Sequence, residues 1–363
     1  MGIVIICVGI CFLIVSAYWV WFFVAFSKTQ PPIYSPENLT QGVSVIVCYK
    51  NAEGHILKTI ENILRQDYPN FEVIAINDFS TDQGPDLLKK LADQRLRLMD
   101  AKQDKPGKKA ALSEAIAMSS HDILLFTDAD CSPASDRWIG WMATCMVSKT
   151  EIVLGYGPLT RQNGWMNDFA KYETILTAMQ YVTYARTGIP YMGVGRNLMY
   201  RKSLFDRVDG FSSHDNIASG DDDLLIMAAA TSTNTAVQIC RESFVYSDAP
   251  LSLRSFLNQK KRHISTSVRY QPIHQMLLGL FAMAQTGFFL LLAGGWFTGL
   301  LSLSVVLSFL AAKWIVQMNL HHKIFRKLDG CHLVLKFPLL DICMTLYYLV
   351  LPVYSLFARR RSW

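Results

Sequence analysis

Asp122-Ile-Leu-Leu-Phe-Thr-Asp-Ala-Asp-Cys-Ser132 is the stretch from which the fold can be read. Its apolar run, residues 123–126, is bounded by polar residues and has the length of a buried strand. The run leads into Asp128-Ala129-Asp130. In extended chain alternate residues share a face, so Asp128 and Asp130 can aim at one point. Two converging carboxylates repel unless a cation lies between them. Oxygen donors of this kind suit Mg2+ or Mn2+, which keep coordination positions open for phosphates. Alone, Asp-x-Asp fits a solvated turn better than a metal site, and its surroundings reverse that balance.

Upstream, residues 43–48 form a β-branched run typical of a strand buried on both faces. Ile56, Ile60, Ile63 and Leu64 recur at helical spacing, and Asp67-Tyr68-Pro69 stops that helix. A strand at 73–76 precedes Asn77-Asp-Phe-Ser-Thr-Asp82. A helix from 85 to about 95, a short strand at 97–100, a basic loop at 102–109 and a helix to about 119 complete the series. This β-α-β alternation implies a mostly parallel sheet with helices on both faces. Ligands of such sheets sit beyond the carboxyl ends of the strands. Lys50-Asn51, Asn77-Asp78 and Asp128-Ala-Asp130 all fall at that edge. Gly193-Val-Gly195 lacks the third glycine of a dinucleotide fingerprint, because Leu198 stands there, which excludes a dehydrogenase.

The chain of 363 residues is 51% hydrophobic, with a mean hydropathy of +0.20, too apolar for an ordinary soluble enzyme. Residues 3–26 carry no charge and are long enough to span a bilayer. No basic residue precedes them, and Trp19, Trp21, Phe22 and Phe23 resemble an interfacial anchor, so a retained anchor fits better than a cleaved signal. A Pro-rich linker follows at 31–36. Apolar spans are expected at about 273–293 and 297–318, separated by Gly294-Gly-Trp296, with a last segment at about 333–358. The positive-inside rule places Lys28, Lys323, Arg326 and Lys327 on the cytoplasmic side but leaves Arg359-Arg-Arg361 outside. Pro338, Asp341 and Pro352 interrupt this fourth span. Lys336 and Asp341 within it suggest either function or a pair bonded in the bundle; His321-His322 is read as solvated. None of the eight cysteines forms a Cys-x-x-Cys pair, which argues against zinc and disulfides and for a reducing cytoplasm. The net charge of +6 is concentrated near apolar segments, which suits anionic lipid headgroups and not nucleic acid. The expected divisions are an anchor (1–28), a catalytic domain (40–250), an interface helix (251–271) and a C-terminal membrane region (272–363).

The ordered motifs Val43-Ser-Val-Ile-Val-Cys-Tyr-Lys-Asn51, Asn77-Asp-Phe-Ser-Thr-Asp82, Lys105-Pro-Gly-Lys-Lys-Ala-Ala-Leu112, Thr127-Asp-Ala-Asp130, Gly193-Val-Gly-Arg-Asn197, Ser219-Gly-Asp-Asp-Asp223 and Gln259-Lys-Lys-Arg-His263 resemble family 2 glycosyltransferases of the GT-A fold. The resemblance is to the membrane-embedded branch that includes ceramide glucosyltransferase, cellulose synthase and hyaluronan synthase. It implies an α/β, Rossmann-like cytosolic domain with a mostly parallel sheet, plus transmembrane and interface helices. It implies that Asp78 bonds the uracil of a UDP-sugar and that Cys48, Tyr49 and Asn51 floor the nucleotide pocket. Lys108 or Lys109 would face the diphosphate, and Asp128 and Asp130 would hold Mg2+ or Mn2+. Asp222, flanked by Asp221 and Asp223, resembles the catalytic base; acids also suit the first turn of the helix that follows. Gly195 and Asn197 would lie by the donor sugar or acceptor. Gln259 and Arg262 match Gln-x-x-Arg-Trp, whose arginine contacts the diphosphate; His263 replaces the tryptophan that lines the acceptor position, and Asn77 stands where the family usually has Asp. A helix over about 163–187 is either a second interface helix or plain core.

The resemblance thus implies inverting, metal-dependent transfer of a sugar from a nucleotide sugar, UDP-linked, to a membrane lipid or lipid-linked acceptor. The expected location is a bacterial inner membrane with the catalytic domain in the cytoplasm. A processive polysaccharide synthase is the alternative, and a non-catalytic sensor or scaffold a third. Sugar, acceptor and oligomeric state are not legible in the sequence.

Overall fold

The computed structural model describes residues 1–27, 34, 39–102, 107–217 and 219–357, with the backbone alone at 263, 356 and 357. Lys28, the linker at 31–36 apart from Tyr34, Lys105-Pro106 and Arg359-Arg-Arg361 lie outside the described residues. In chain order the elements are α1 (Gly2–Ser27), β1 (Val43–Tyr49), α2 (Ile56–Leu64), β2 (Phe71–Asn77), α3 (Gly84–Leu88), β3 (Leu96–Asp100), α4 (Lys108–Met118), β4 (Ile123–Asp128), β5 (Cys131–Pro133), α5 (Trp138–Ala143), β6 (Ile152–Leu154), α6 (Trp165–Arg186), β7 (Leu198–Arg201), α7 (Lys202–Arg207), α8 (Asp223–Ala229), β8 (Thr235–Val237), β9 (Val245–Ser247), α9 (Leu253–Ser267), α10 (Pro272–Phe297), α11 (Leu303–Lys327) and α12 (Phe337–Phe357). They form two compact units.

One unit spans Gln30–Thr160 and Tyr184–Ala249. Its seven-stranded sheet has the order β3-β2-β1-β4-β7-β6-β8. β1 pairs in parallel with β2 and with β4, and β2 with β3. β7 runs antiparallel to β4 and β6. Val43, Val45, Ile46 and Val47 of β1 are fully buried, as a central strand covered on both faces requires. The chain goes from β1 outward to β2 and β3, then returns to place β4 on the other side. The carboxyl ends of β1 and β4 therefore flank a topological switch point, where a crevice opens. The register sets Cys48 beside Asp128 there.

α3 is shorter than the helix expected at 85–95. Asp93 accepts from the backbone N–H of Arg95 at 2.9 Å, and the N–H of Leu96 returns to the carbonyl of Asp93. Such local bonds compete with helix continuation. α4 starts at Lys108, with Gly107 as its N-cap, so the two lysines expected on a loop belong to a first helical turn.

The other unit gathers Met1–Thr29, Arg161–Thr183 and Pro250–Arg359. Arg161–Thr183, expected inside the catalytic domain, thus packs with the apolar helices, tied by ion pairs of Lys260 with Glu173 and of Lys336 with Asp168. Among the described residues, four helices, Gly2–Ser27, Pro272–Phe297, Leu303–Lys327 and Cys331–Ser355, are long and apolar enough to cross a membrane. Gly294-Gly-Trp296 does not break the chain as expected. α10 runs through it, and the turn comes after, at Gly299 with φ +72°. A Cβ on Gly295 would stand 2.6 Å from Leu301, so this glycine lets the returning chain close onto the helix.

Lys336 and Asp341 do not pair with each other. Lys336 donates to Asp168 at 2.6 Å. Asp341 faces Lys313 and accepts from Gln285 at 2.7 Å and Trp314 at 3.2 Å. His321, expected to be solvated, is buried between Trp19 and Phe337, with ring centroids 3.7 and 4.0 Å away.

Candidate active site

The acidic pair is built by β4 and the turn after it. Asp128 is the last strand residue, Ala129 and Asp130 form a turn, and Cys131 opens β5. The carboxylates therefore converge through a turn and not along extended chain. One donor atom each from Asp128, Asp130 and Cys131 lies within 4.8 Å of the others. Thr59 fixes this turn from α2: its hydroxyl stands 2.8 Å from the Ala129 carbonyl and 3.0 Å from that of Cys131. The sequence reading missed Thr59. Its signal is a polar residue on the same buried face as Ile56, Ile60 and Ile63.

The donor set tests which ion would fit. Two carboxylates, Asp130 exposed and Asp128 partly so, offer hard oxygen ligands suited to Mg2+ or Mn2+. Cys131 is a poor third ligand, since metals take the thiolate. Burial, reinforced by Asp128 and Asp130, pushes its thiol well above the usual range.

Lys108 and Lys109 are separated by the helix they share. Lys108 reaches into the crevice, with Nζ 2.8 Å from Asp221 Oδ2 and 3.0 Å from Asp128 Oδ1. Burial alone would lower its pKa, but Asp128 and Asp221 outweigh that and hold the ammonium well above its ordinary value. Lys109 is buried and donates to the carbonyl of His214, tying down the loop that leads to the acidic triplet. Lys108, Cys48, Thr127, Asp128, Gly195 and Asp221 line one pocket.

Asp222 is the N-cap of α8. Oδ1 accepts from the N–H of Asp223 and Oδ2 from the N–H of Gly195, both at 2.8 Å. Burial, then the charges of Asp221 and Asp223, push its carboxyl up to about 7, against the pull of Lys108 and the Gly195 N–H. A carboxylate that titrates near neutrality is matched to general-base work.

The remaining predicted residues distribute as follows. Asp78 is fully buried, with Oδ1 accepting from the N–H of Gly107 at 2.9 Å, so it joins the site through the start of α4. Tyr49 is buried in the sheet's core cluster. Asn51, at φ +50°, binds the loop after β2 through the N–H of Thr81 at 2.8 Å. Asn77 likewise bonds Ser80 and Asp100. Gly195 lines the pocket, and Asn197 is fully buried, with its carboxamide bonded to Trp138, Tyr156 and Ser243. Gln259 and Arg262 lie on α9 in the other unit, half-buried and exposed respectively. The side chain of His263 lies outside the described residues.

The parallel sheet, its switch-point crevice and the paired carboxylates define a nucleotide-sugar-type α/β domain of GT-A character. The mannosyltransferase from Pyrobaculum calidifontis, solved with GDP-Man and Mn2+, superposes on 99% of both chains with a TM-score of 0.66 at 19% identity, a likeness of fold. The Glycosyl transferase family 2 profile matches residues 44–209, and that of Glycosyl transferase family group 2 matches residues 140–358, more than half of the chain. The protein belongs to the family 2 glycosyltransferases. The beta-monoglucosyldiacylglycerol synthase of Nostoc sp. is 37% identical over 99 residues, covering 26% of this chain and 21% of that one. The poly-beta-1,6-N-acetyl-D-glucosamine synthase of Staphylococcus aureus is 28% identical over 123 residues, covering 32% and 30%. The chain thus spans between a fifth and a third of these curated relatives.

Proposed function

We propose that this glycosyltransferase transfers one sugar from a nucleotide sugar, UDP-linked, to a membrane lipid or lipid-linked hydroxyl, with inversion at the anomeric carbon. The single observation that carries the reading is the meeting of Lys108, Asp128 and Asp221 in one pocket beside Gly195, which holds Asp222. Asp222 takes the proton of the acceptor hydroxyl as it attacks. A carboxylate near pKa 7 is ionised in useful amount at neutral pH and still basic enough to accept that proton. Asp128 and Asp130 would hold Mg2+ or Mn2+, which supplies charge neutralisation on a leaving diphosphate. Lys108 adds a cation beside Asp128. Four apolar helices and a glucosyldiacylglycerol synthase among the relatives support a lipid acceptor at the cytoplasmic face of a bacterial inner membrane.

A second reading, a processive synthase, draws on the relative that makes poly-N-acetylglucosamine. Full-length protein in lipid, supplied with Mn2+ and a panel of nucleotide sugars, is scored for nucleoside diphosphate release and product size. Release that depends on lipid extract, with one sugar per lipid, is the expected result. A ladder of long chains replaces the first reading by the second, and no release with any donor removes both.

A further inference from the structure

Asp222 owes its position to a neighbour that is itself held by residues outside the pocket. The Gly195 N–H that meets Asp222 Oδ2 at 2.8 Å belongs to a three-residue 3-10 turn, Gly195–Asn197. Asn197 uses its whole carboxamide to fix that turn. Its Oδ1 accepts from the indole N–H of Trp138 at 3.0 Å, and its Nδ2 donates to the carbonyls of Tyr156 and Ser243, each at 2.8 Å. Its main chain closes the turn through Val194 and takes the N–H of Gly155. Trp138 and Asn197 are fully buried, and a Cβ on Gly155 would stand 2.4 Å from the Asn197 carboxamide. Arg196, between Gly195 and Asn197, bonds the carbonyl of Gly157 at 3.1 Å. The turn cannot rotate without leaving buried polar groups unpaired, so its amide direction is preorganised.

We propose that Trp138 and Asn197 are positioning residues that aim the Gly195 N–H at the Asp222 carboxylate and thereby set the geometry and proton affinity of the base. This rests on Asp222 being the base. An N–H bonded to a carboxylate favours its ionised form. The other charged groups facing Asp222 are Asp221 and Asp223 from its own segment and Lys108 from α4; neither substitution below touches them. Loosening the turn therefore leaves Asp222 protonated to higher pH and worse aimed, without altering the lysine or the Asp128 carboxylate.

The test compares Trp138→Phe, which deletes one indole N–H, with Asn197→Ala in full-length enzyme, reading the pH profile of kcat together with UDP affinity and the melting temperature. Trp138→Phe is expected to move the acid limb upward by about half to one pH unit and to lower kcat by about tenfold at pH 7, with UDP affinity unchanged. Asn197→Ala, if it folds, moves the limb further. Activity that falls only in proportion to the folded fraction, with the limb unmoved in Trp138→Phe, overturns the proposal whether or not Asn197→Ala folds. Asp222→Asn separates the two failures: if it abolishes transfer while Trp138→Phe leaves the limb in place, only the positioning role falls; if it retains transfer, the assignment of the base falls as well.

Discussion

Lys108 Nζ sits between Asp221 at 2.8 Å and Asp128 at 3.0 Å, so one partly buried ammonium neutralises acids from two separate segments. Asp128 is also a proposed metal ligand. Lys108→Met removes the competing cation and leaves Asp128 and Asp221 to repel. Mn2+ alone is then expected to bind several-fold tighter, by calorimetry, while UDP-sugar binding weakens. Transfer should drop about 10²-fold or more, the loss seen when one preorganised charge-stabilising group is removed. Unchanged Mn2+ affinity would detach Lys108 from the metal side of the site.

Asp222 makes a paired prediction about activity and stability. Its carboxyl is raised from 3.8 to about 7. Its contribution to stability is therefore fully present below pH 3.8 and is lost as the pH rises through 7, because the folded protein binds that proton more tightly than the unfolded chain. Activity runs the other way, with an acid limb near pH 7. Asp222→Asn is expected to abolish transfer and yet to raise the melting temperature at pH 8, by an effect of order a few kcal/mol. At pH 4 the variant and wild type should melt alike. A variant less stable at pH 8 than at pH 4, relative to wild type, would contradict the raised pKa.

Thr59→Val keeps shape and removes the hydroxyl that serves the Ala129 and Cys131 carbonyls. The expected cost is about 1–2 kcal/mol in urea unfolding. Because those carbonyls flank Asp130, Mn2+ affinity should fall with it. A stability loss without any change in Mn2+ binding would make Thr59 a core residue only.

The pair of Lys313 and Asp341 is buried among apolar helices. Removing one partner leaves a stranded charge, which costs about 3–5 kcal/mol, whereas replacing both by apolar groups is near neutral. Asp341→Leu is therefore expected to lower detergent-resistant folding sharply, and Asp341→Leu with Lys313→Met to restore it. Two single variants as stable as wild type would show that α11 and α12 do not depend on this pair.

The apolar runs of β1, β2 and β4 announced a parallel sheet because burial on both faces leaves no room for alternation. The apolar helices were likewise legible, since a bilayer sets their length and composition. The acids at the strand ends followed from the same logic. Neither hydropathy nor spacing chose between Lys108 and Lys109. Neighbours on a helix point about 100° apart, and which one faces the crevice depends on where α4 begins and how it packs. The sequence marked Asn197 as part of a functional motif, but only the fold shows it buried, with its carboxamide bonded to Trp138, Tyr156 and Ser243. Proximity in the chain pairs Asp341 with Lys336, yet its partner Lys313 comes from 28 residues upstream. The sequence by itself determined the elements and the chemistry at their ends, because periodicity and polarity are local. The tertiary structure decided which side chains meet, because rotation about a helix and contact between distant segments are fixed only by packing.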